Sequence, residues 1–378
     1  MNQLAPSMPQ PATLNAAPNL VRTGAPGLDD VIAAETSLSH VDGVAGILIL
    51  RGHHLQQLSD WSFEQVLELL WQDLLPENMT AAAIAQKLGH ARMRAYEIMQ
   101  PLLSSLDGLS SVEALRLLLS AFSDAEPEDH HILAVAAVPV IAAAIARRKQ
   151  GLLPIAPDST RGQAADFLYM LHGKAASAEQ VKALDTYLVT VADHGLNAST
   201  FTARVIASTK ARPFSSVVGA LCALKGPLHG GAPGPVLDML DAIGDEAEIE
   251  GWIADALSRG ERLMGFGHRI YRVRDPRADV LKGAVSKLRD GSGRIAFAEK
   301  VEAQALAQLK ARKPLRPLQT NVEFYTALVL EAVGFPRDSF TNVFAAGRMA
   351  GWTAHVLEQE KTGRLIRPQS AYIGPMPS

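Results

Sequence analysis

Several absences narrow this sequence before any motif is considered. It holds one cysteine in 378 residues, Cys222, so no intrachain disulfide can form. Lying in an apolar run, that thiol reads as packed rather than nucleophilic. Neither charge dominates: the formal net is -3 at pH 7, with no basic surface for nucleic acid and no strongly acidic character. No apolar run reaches the roughly 20 residues that a bilayer core requires. The longest, Ile132 to Ala146, is alanine-rich, contains Pro139 and reads as a buried helix. The N-terminus has no charged-then-apolar leader, which together with the cysteine count gives a cytoplasmic expectation. Walker loops, GxGxxG fingerprints, paired-cysteine zinc patterns and HExxH helices are also missing. His53-His54 and Glu128-Asp129-His130-His131 are runs of immediate neighbours, which do not share a helix face. They read as surface residues, and no metal site is expected.

What is present is a globular, helix-forming chain. Hydrophobic residues make up 48%, and the length allows two domains. Residues 1 to 26 are rich in Pro, Ala and Asn and read as a flexible tail. Between Ser37 and Arg51, Asp42-Gly43 precedes Ile47, Leu48, Ile49 and Leu50, predicting a small hairpin that is nearly the only strand signal. Helices dominate thereafter. Capping boxes pair Ser62 with Gln65, Ser110 with Glu113 and Ser177 with Gln180, each ahead of apolar residues repeating at three and four. The loop from Arg289 to Arg294 and the basic stretch Lys310 to Pro317 read as crossings between helices.

Three stretches could carry chemistry. In GPLHGGAPG, from Gly226, glycines and prolines force a turn around His229 between two apolar helices. That suits either a satisfied core histidine or a ring N–H offered to a ligand. His194 occupies a similar corner, followed by Gly195 and the capping residues Asn197, Ser199 and Thr200. In MGFGHRIYRVRDPRADV, from Met264, Gly265 and Gly267 flank Phe266 and permit a nest of backbone N–H groups, with His268 next in line. Arg269, Arg272, Arg274 and Arg277 follow closely and suit phosphate or carboxylate recognition. In TNVEFYTALVL, from Thr320, Glu323 interrupts an apolar face, where a carboxylate is costly unless paired or raised in pKa; such a group can serve as a general base. Arg348 sits among small apolar residues in FAAGRMAGW, and Arg364 and Arg367 lie in a polar tail.

Taken together, DHGLNASTFTARVIAST, GPLHGGA, MGFGHRIYRVRDPRADVL, NVEFYTALVL and FAAGRMAGWTAHVLEQ resemble, in order, the motifs of the citrate synthase family. The resemblance implies a mainly α, two-domain all-helical fold with a small N-terminal β-hairpin. The large domain would comprise residues 27–229 and 334–378 and the small one residues 230–333, with the active site in the cleft between them, completed by the partner chain of a homodimer. It implies condensation of acetyl-CoA with oxaloacetate, with propionyl-CoA (2-methylcitrate synthesis) or a non-catalytic CoA- or dicarboxylate-binding paralogue as alternatives. His229, His268 and Glu323 would be catalytic. His194, Arg277, Arg348 and Arg367 would bind oxaloacetate, Arg367 acting in the other subunit's site. Gly265, Phe266, Gly267 and Arg272 would meet CoA, and no cofactor would be needed beyond the thioester substrate. Two positions depart from the family's usual pattern: Glu323 stands where Asp is common, and Pro233 where Asn is common.

Overall fold

The computed structural model describes residues 28, 31–125, 129–230, 233–288, 293–312, 314–315 and 318–377. The expected tail of residues 1–26, Glu128, residues 289–292 of one expected loop, and Lys313, Arg316 and Pro317 of the other lie outside them, as does the Pro233 side chain. Thr36–Leu365 forms one compact unit; the described residues outside it, 28, 31–35 and 366–377, belong to a second.

The main unit is helical, with fifteen α-helices among the described residues. Helix His130–Lys149 runs through its core because it is apolar on every side. Every residue from His131 to Ala146, Pro139 included, is buried. By length and composition it could cross a membrane, but here its surroundings are protein. Helices Ala81–Met99, Ser111–Leu119, Gln163–His172 and Phe340–Thr362 pack around it. The predicted capping boxes form: Gln65 N–H donates to Ser62 Oγ at 3.3 Å while Ser62 N–H donates to Gln65 Oε1 at 2.8 Å. The Ser177–Gln180 pair repeats this at 3.2 and 3.1 Å.

Helix Phe340–Thr362 brings Arg348 against the end of helix Ala178–Thr190, and its glycines make that approach possible. A Cβ on Gly347 would lie 2.5 Å from Val191 Cγ2, and one on Gly351 would lie 2.4 Å from the Ala192 carbonyl oxygen. The Gly351 N–H donates to that same oxygen at 2.9 Å.

The predicted hairpin is present as β1 (Ser39–Asp42) and β2 (Ile47–Leu50), antiparallel, with Asp42 opposite Ile47. A short third strand, β3 (His53–His54), extends it on the β2 side. Two expectations are corrected. Cys222 is exposed, because on helix Arg212–Leu224 the neighbouring Leu221 and Leu224 take the inward positions. His131 is buried, not at the surface, and its ring meets Trp71 edge-on with centroids 4.9 Å apart.

Candidate active site

Helix termini supply most of the site. Asn197 caps helix Ala198–Ala207 by accepting from Thr200 N–H at 3.2 Å, and this fixes the corner that carries Asp193 and His194. Helix Arg212–Leu224 ends in the His229 turn, closed by a His229 N–H to Gly226 O bond of 2.9 Å. Arg277 lies in the first turn of helix Pro276–Val285, and Glu323 in the first turn of helix Val322–Ala332.

His268 has a defined tautomer. The backbone N–H groups of Ile270 and Tyr271 both donate to its Nδ1, each at 3.0 Å, so the ring proton belongs on Nε2. Arg277 Nη2 lies 3.1 Å from that Nε2 and cannot accept. Two donors therefore meet with no acceptor between them, an arrangement that an oxygen accepting from both would relieve. Burial, then the Arg277 charge, push the His268 pKa down to about 4, so the ring is neutral at pH 7. His194 packs against it with centroids 5.8 Å apart, and its Nε2 is 3.1 Å from the Tyr271 hydroxyl. Its pKa is held well below the ordinary imidazole value, through burial and the charges of Arg277 and Arg348.

His229 is held through Ser199, whose Oγ is 2.8 Å from His229 Nε2. The same hydroxyl accepts from Trp352 Nε1 at 3.1 Å and donates to Asn197 Oδ1 at 2.8 Å. Its one proton can serve either Asn197 Oδ1 or His229 Nε2, so the His229 tautomer decides which. Burial, with Arg348 adding to it, lowers the His229 pKa to about 4.

The cations are braced from behind. Arg277 donates through Nε and Nη2 to the two oxygens of Asp275, at 3.0 and 2.8 Å. Burial works against its charge, but Asp275 outweighs burial and keeps the guanidinium ionised. Asp275 also accepts from Val322 N–H at 3.1 Å, joining Arg277 to the start of the Glu323 helix. Arg348 donates Nε to the Val191 carbonyl at 2.7 Å, and its terminal nitrogens donate to no described residue. Burial lowers its pKa to about 10, with Asp193 opposing, so it too stays charged. Asp193 is fixed by Ser39 and by His355 Nε2 at 3.3 Å. His355 Nδ1 in turn accepts from Arg204 at 2.9 Å.

Glu323 is the open group. Its carboxylate accepts no hydrogen bond from a described residue, and burial raises its pKa to about 7. Arg277 and Arg262 oppose that rise, while Asp275 adds to it.

The structure thus gathers His194, His268, Arg277 and Glu323 through direct contacts and mutual charge effects. Arg348 and His229 join them through the Val191 and Ser199 contacts. Arg367 is exposed and lies in the terminal unit, outside this cluster's unit. The glycine nest expected near Phe266 is not open, since Gly267 N–H donates to Gln319 O at 2.7 Å. Gly265 and Gly267 have positive φ (84° and 90°), and a Cβ on Gly265 would lie 2.8 Å from Phe324 Cβ. Phe266 is buried, with its ring 5.4 Å from that of Phe324. Arg272 is exposed, whereas Arg274 is turned into ion pairs with Asp279 and Glu302. Sequence reasoning missed Tyr271, the supporting role of Asp275, and Ser199 as the partner of His229. The DxR spacing was the one local signal available for any of these, at Asp275.

Known proteins match along almost the whole chain. The family profile "Citrate synthase, C-terminal domain" covers residues 27–369. A citrate synthase of Haloferax volcanii is 39% identical over 365 residues, spanning 92% of this chain and 95% of that protein. A 2-methylcitrate synthase of Mycobacterium tuberculosis is 37% identical over 361 residues, spanning 92% and 90%. Among solved structures, the citrate synthase of Thermotoga maritima superposes with a TM-score of 0.80 at 34% identity, covering 93% of this chain and 96% of that one. A citrate synthase of Thermoplasma acidophilum in ternary complex with carboxymethyl coenzyme A and oxaloacetate gives 0.82 at 28% identity, covering 93% and 96%. On a profile that spans most of the sequence and relatives above one-third identity along nearly their full length, this chain belongs to the citrate synthase family.

Proposed function

We propose that the chain condenses acetyl-CoA with oxaloacetate and hydrolyses the resulting citryl thioester to citrate and CoA. The observation that carries this reading is the pair of donors, His268 Nε2–H and Arg277 Nη2, in contact at 3.1 Å within the electrostatic reach of a carboxylate that accepts no hydrogen bond from a described residue. A ketone oxygen at that point would be polarised by both. Arg348, whose terminal nitrogens donate to no described residue, would take a carboxylate of the same substrate, and His194 would line the site.

Glu323 removes a methyl proton from the thioester. An ordinary carboxylate is too weak a base for such a carbon acid, and a pKa near 7 improves the match. The remaining difficulty is met at the developing enolate oxygen, to which His229 donates a proton in a hydrogen bond. That role needs an N–H turned away from Ser199. In the productive state Ser199 therefore turns its proton from Asn197 Oδ1 to His229 Nε2 and leaves the ring proton on Nδ1. The enolate carbon attacks the ketone carbon, and the resulting alkoxide takes up, by way of His268 Nε2, the proton that Glu323 removed, so both side chains return to their starting states. Water then cleaves the thioester and CoA leaves as the thiol. Histidines and arginines carry the electrophilic role, so no step calls for a metal or resident cofactor.

In this reading residues 230–333 form a smaller lobe that closes on oxaloacetate, Gly265, Phe266, Gly267 and Arg272 meet CoA, and Arg367 serves the second site of a homodimer. Propionyl-CoA is the second reading, favoured by the 37% identity to a 2-methylcitrate synthase. One methylene changes discrimination by only about 1–3 kcal/mol. A non-catalytic paralogue would bind these ligands without releasing thiol, and would have no use for a buried carboxylate at Glu323. Free thiol released from acetyl-CoA and from propionyl-CoA, with and without oxaloacetate, decides among the three. Release that does not depend on oxaloacetate, or no release at all, defeats the proposal.

A further inference from the structure

The small sheet touches the site at two places. On β1, Ser39 Oγ donates to Asp193 and accepts from Gly195 N–H at 3.0 Å, which ties the strand to the His194 corner. Beyond it, the hairpin tip lies on the loop that follows His268. Arg272 N–H donates to the Gly43 carbonyl at 2.7 Å. The approach is tight: a Cβ on Gly43 would lie 2.4 Å from the Ile270 carbonyl oxygen, and one on Gly46 would lie 2.7 Å from Val273 Cγ2. The two residues before Arg272 are Ile270 and Tyr271, whose N–H groups fill His268 Nδ1.

We propose that the hairpin tip positions the catalytic imidazole: the Gly43 carbonyl pins Arg272, which keeps the Ile270 and Tyr271 N–H groups aimed at His268 Nδ1 and the ring proton on Nε2. This rests on the reading of His268 as the group that polarises the ketone. Gly43 is the position where nothing larger fits, because the atom a side chain would strike is backbone and cannot rotate away. Asp42 sets the shape of the tip, its Oδ1 accepting from Val44 N–H at 2.9 Å and Ala45 N–H at 2.8 Å. Val44 itself points to solvent at 75% exposure. The sheet is anchored away from the tip, by buried Leu48 and Leu50. Gly43 is thus a positioning residue that acts through the 270–272 backbone.

The test compares the full-length parent with Gly43→Ala, Asp42→Ala, Asp42→Asn and Val44→Ala. Two readouts are used: oxaloacetate-dependent thiol release from acetyl-CoA, and nitrogen NMR of isotope-labelled histidines, with His268 assigned through His268→Gln. Gly43→Ala should lower kcat about tenfold or more, because displacements near 1 Å are that costly, while the melting temperature stays within a few degrees. Its His268 signals should move from a single Nε2–H tautomer to an exchanging mixture. Asp42→Ala should shift both readouts the same way by less, Asp42→Asn should restore most of the loss by keeping the accepting oxygen, and Val44→Ala should match the parent. Parental kcat and parental His268 signals in Gly43→Ala would overturn the proposal, as would lost activity with unchanged His268 signals. If Gly43→Ala fails to fold, the Asp42→Ala and Asp42→Asn pair decides on the same criteria. A parent that releases no thiol would defeat the functional reading instead, and the NMR comparison would still test the hairpin.

Discussion

Replacing Glu323 with glutamine should cost activity and add stability, and the second effect should depend on pH in a defined direction. Burial raises the carboxyl from its ordinary 4.5 to about 7. A rise of that size disfavours the charged form in the folded protein by about 3 kcal/mol. A folded-state pKa above the unfolded one means that the native protein holds its proton longer. The associated stability is complete below about pH 4.5 and is lost as the pH climbs through about 7. Glutamine stays neutral throughout, so Glu323→Gln should match the parent near pH 4.5 and exceed it by about 2–3 kcal/mol at pH 8. Denaturant melts of both proteins at the two pH values measure this, and the common contribution of the histidines cancels in the difference. Thiol release by the same variant should fall by at least about a hundredfold, since general-base catalysis contributes on the order of 10²–10⁴. A variant no more stable than the parent at pH 8, or one with parental turnover, would show that Glu323 is not a strained base.

Further outcomes follow from the same geometry. The acid limb of kcat/KM should lie near pH 7 and follow Glu323, because His229 and His268, held at about 4, stay neutral across that range; a limb near 4 would assign control to an imidazole. Ser199→Ala leaves the Trp352 indole N–H without its acceptor and removes the bond to His229, so kcat should drop about tenfold or more, with a stability loss of about 1–3 kcal/mol in thermal melts. Arg348→Lys should raise the oxaloacetate KM at least about tenfold while the acetyl-CoA KM moves little, since an ammonium cannot keep the Val191 bond and also present a planar fork. Equal changes in both constants would place Arg348 elsewhere. Oxaloacetate should shrink the radius of gyration in solution scattering and tighten acetyl-CoA binding; if it changes neither, lobe closure fails.

Local features were legible in the sequence because their causes are local. The capping boxes at Ser62 and Ser177, the hairpin before Ile47 and the buried run around Pro139 each follow from residues within a turn or two of one another. The burial of His131 depends on Trp71, a partner far away in sequence, and no local pattern announces it. Cys222 reads as packed only while its apolar run is treated as uniform; the helical period turns Leu221 and Leu224 inward and the thiol out. The glycines around Phe266 suggested an open nest of N–H groups, but the acceptor that takes up the Gly267 N–H, Gln319, comes from a separate segment. Ser199 and Tyr271 were missed for the same reason. Each acts on a histidine, and nothing in the sequence tells which hydroxyl will reach which ring.

The docking of helix Phe340–Thr362 at Gly351 has a consequence for how such a pocket can diversify. Where main chain rests directly on main chain, no intervening side chain can be lengthened or shortened to adjust the gap. The frame holding one guanidinium and one imidazole in register therefore behaves as a fixed gauge, and new substrate preferences must arise from residues lining the cavity rather than from sliding its walls.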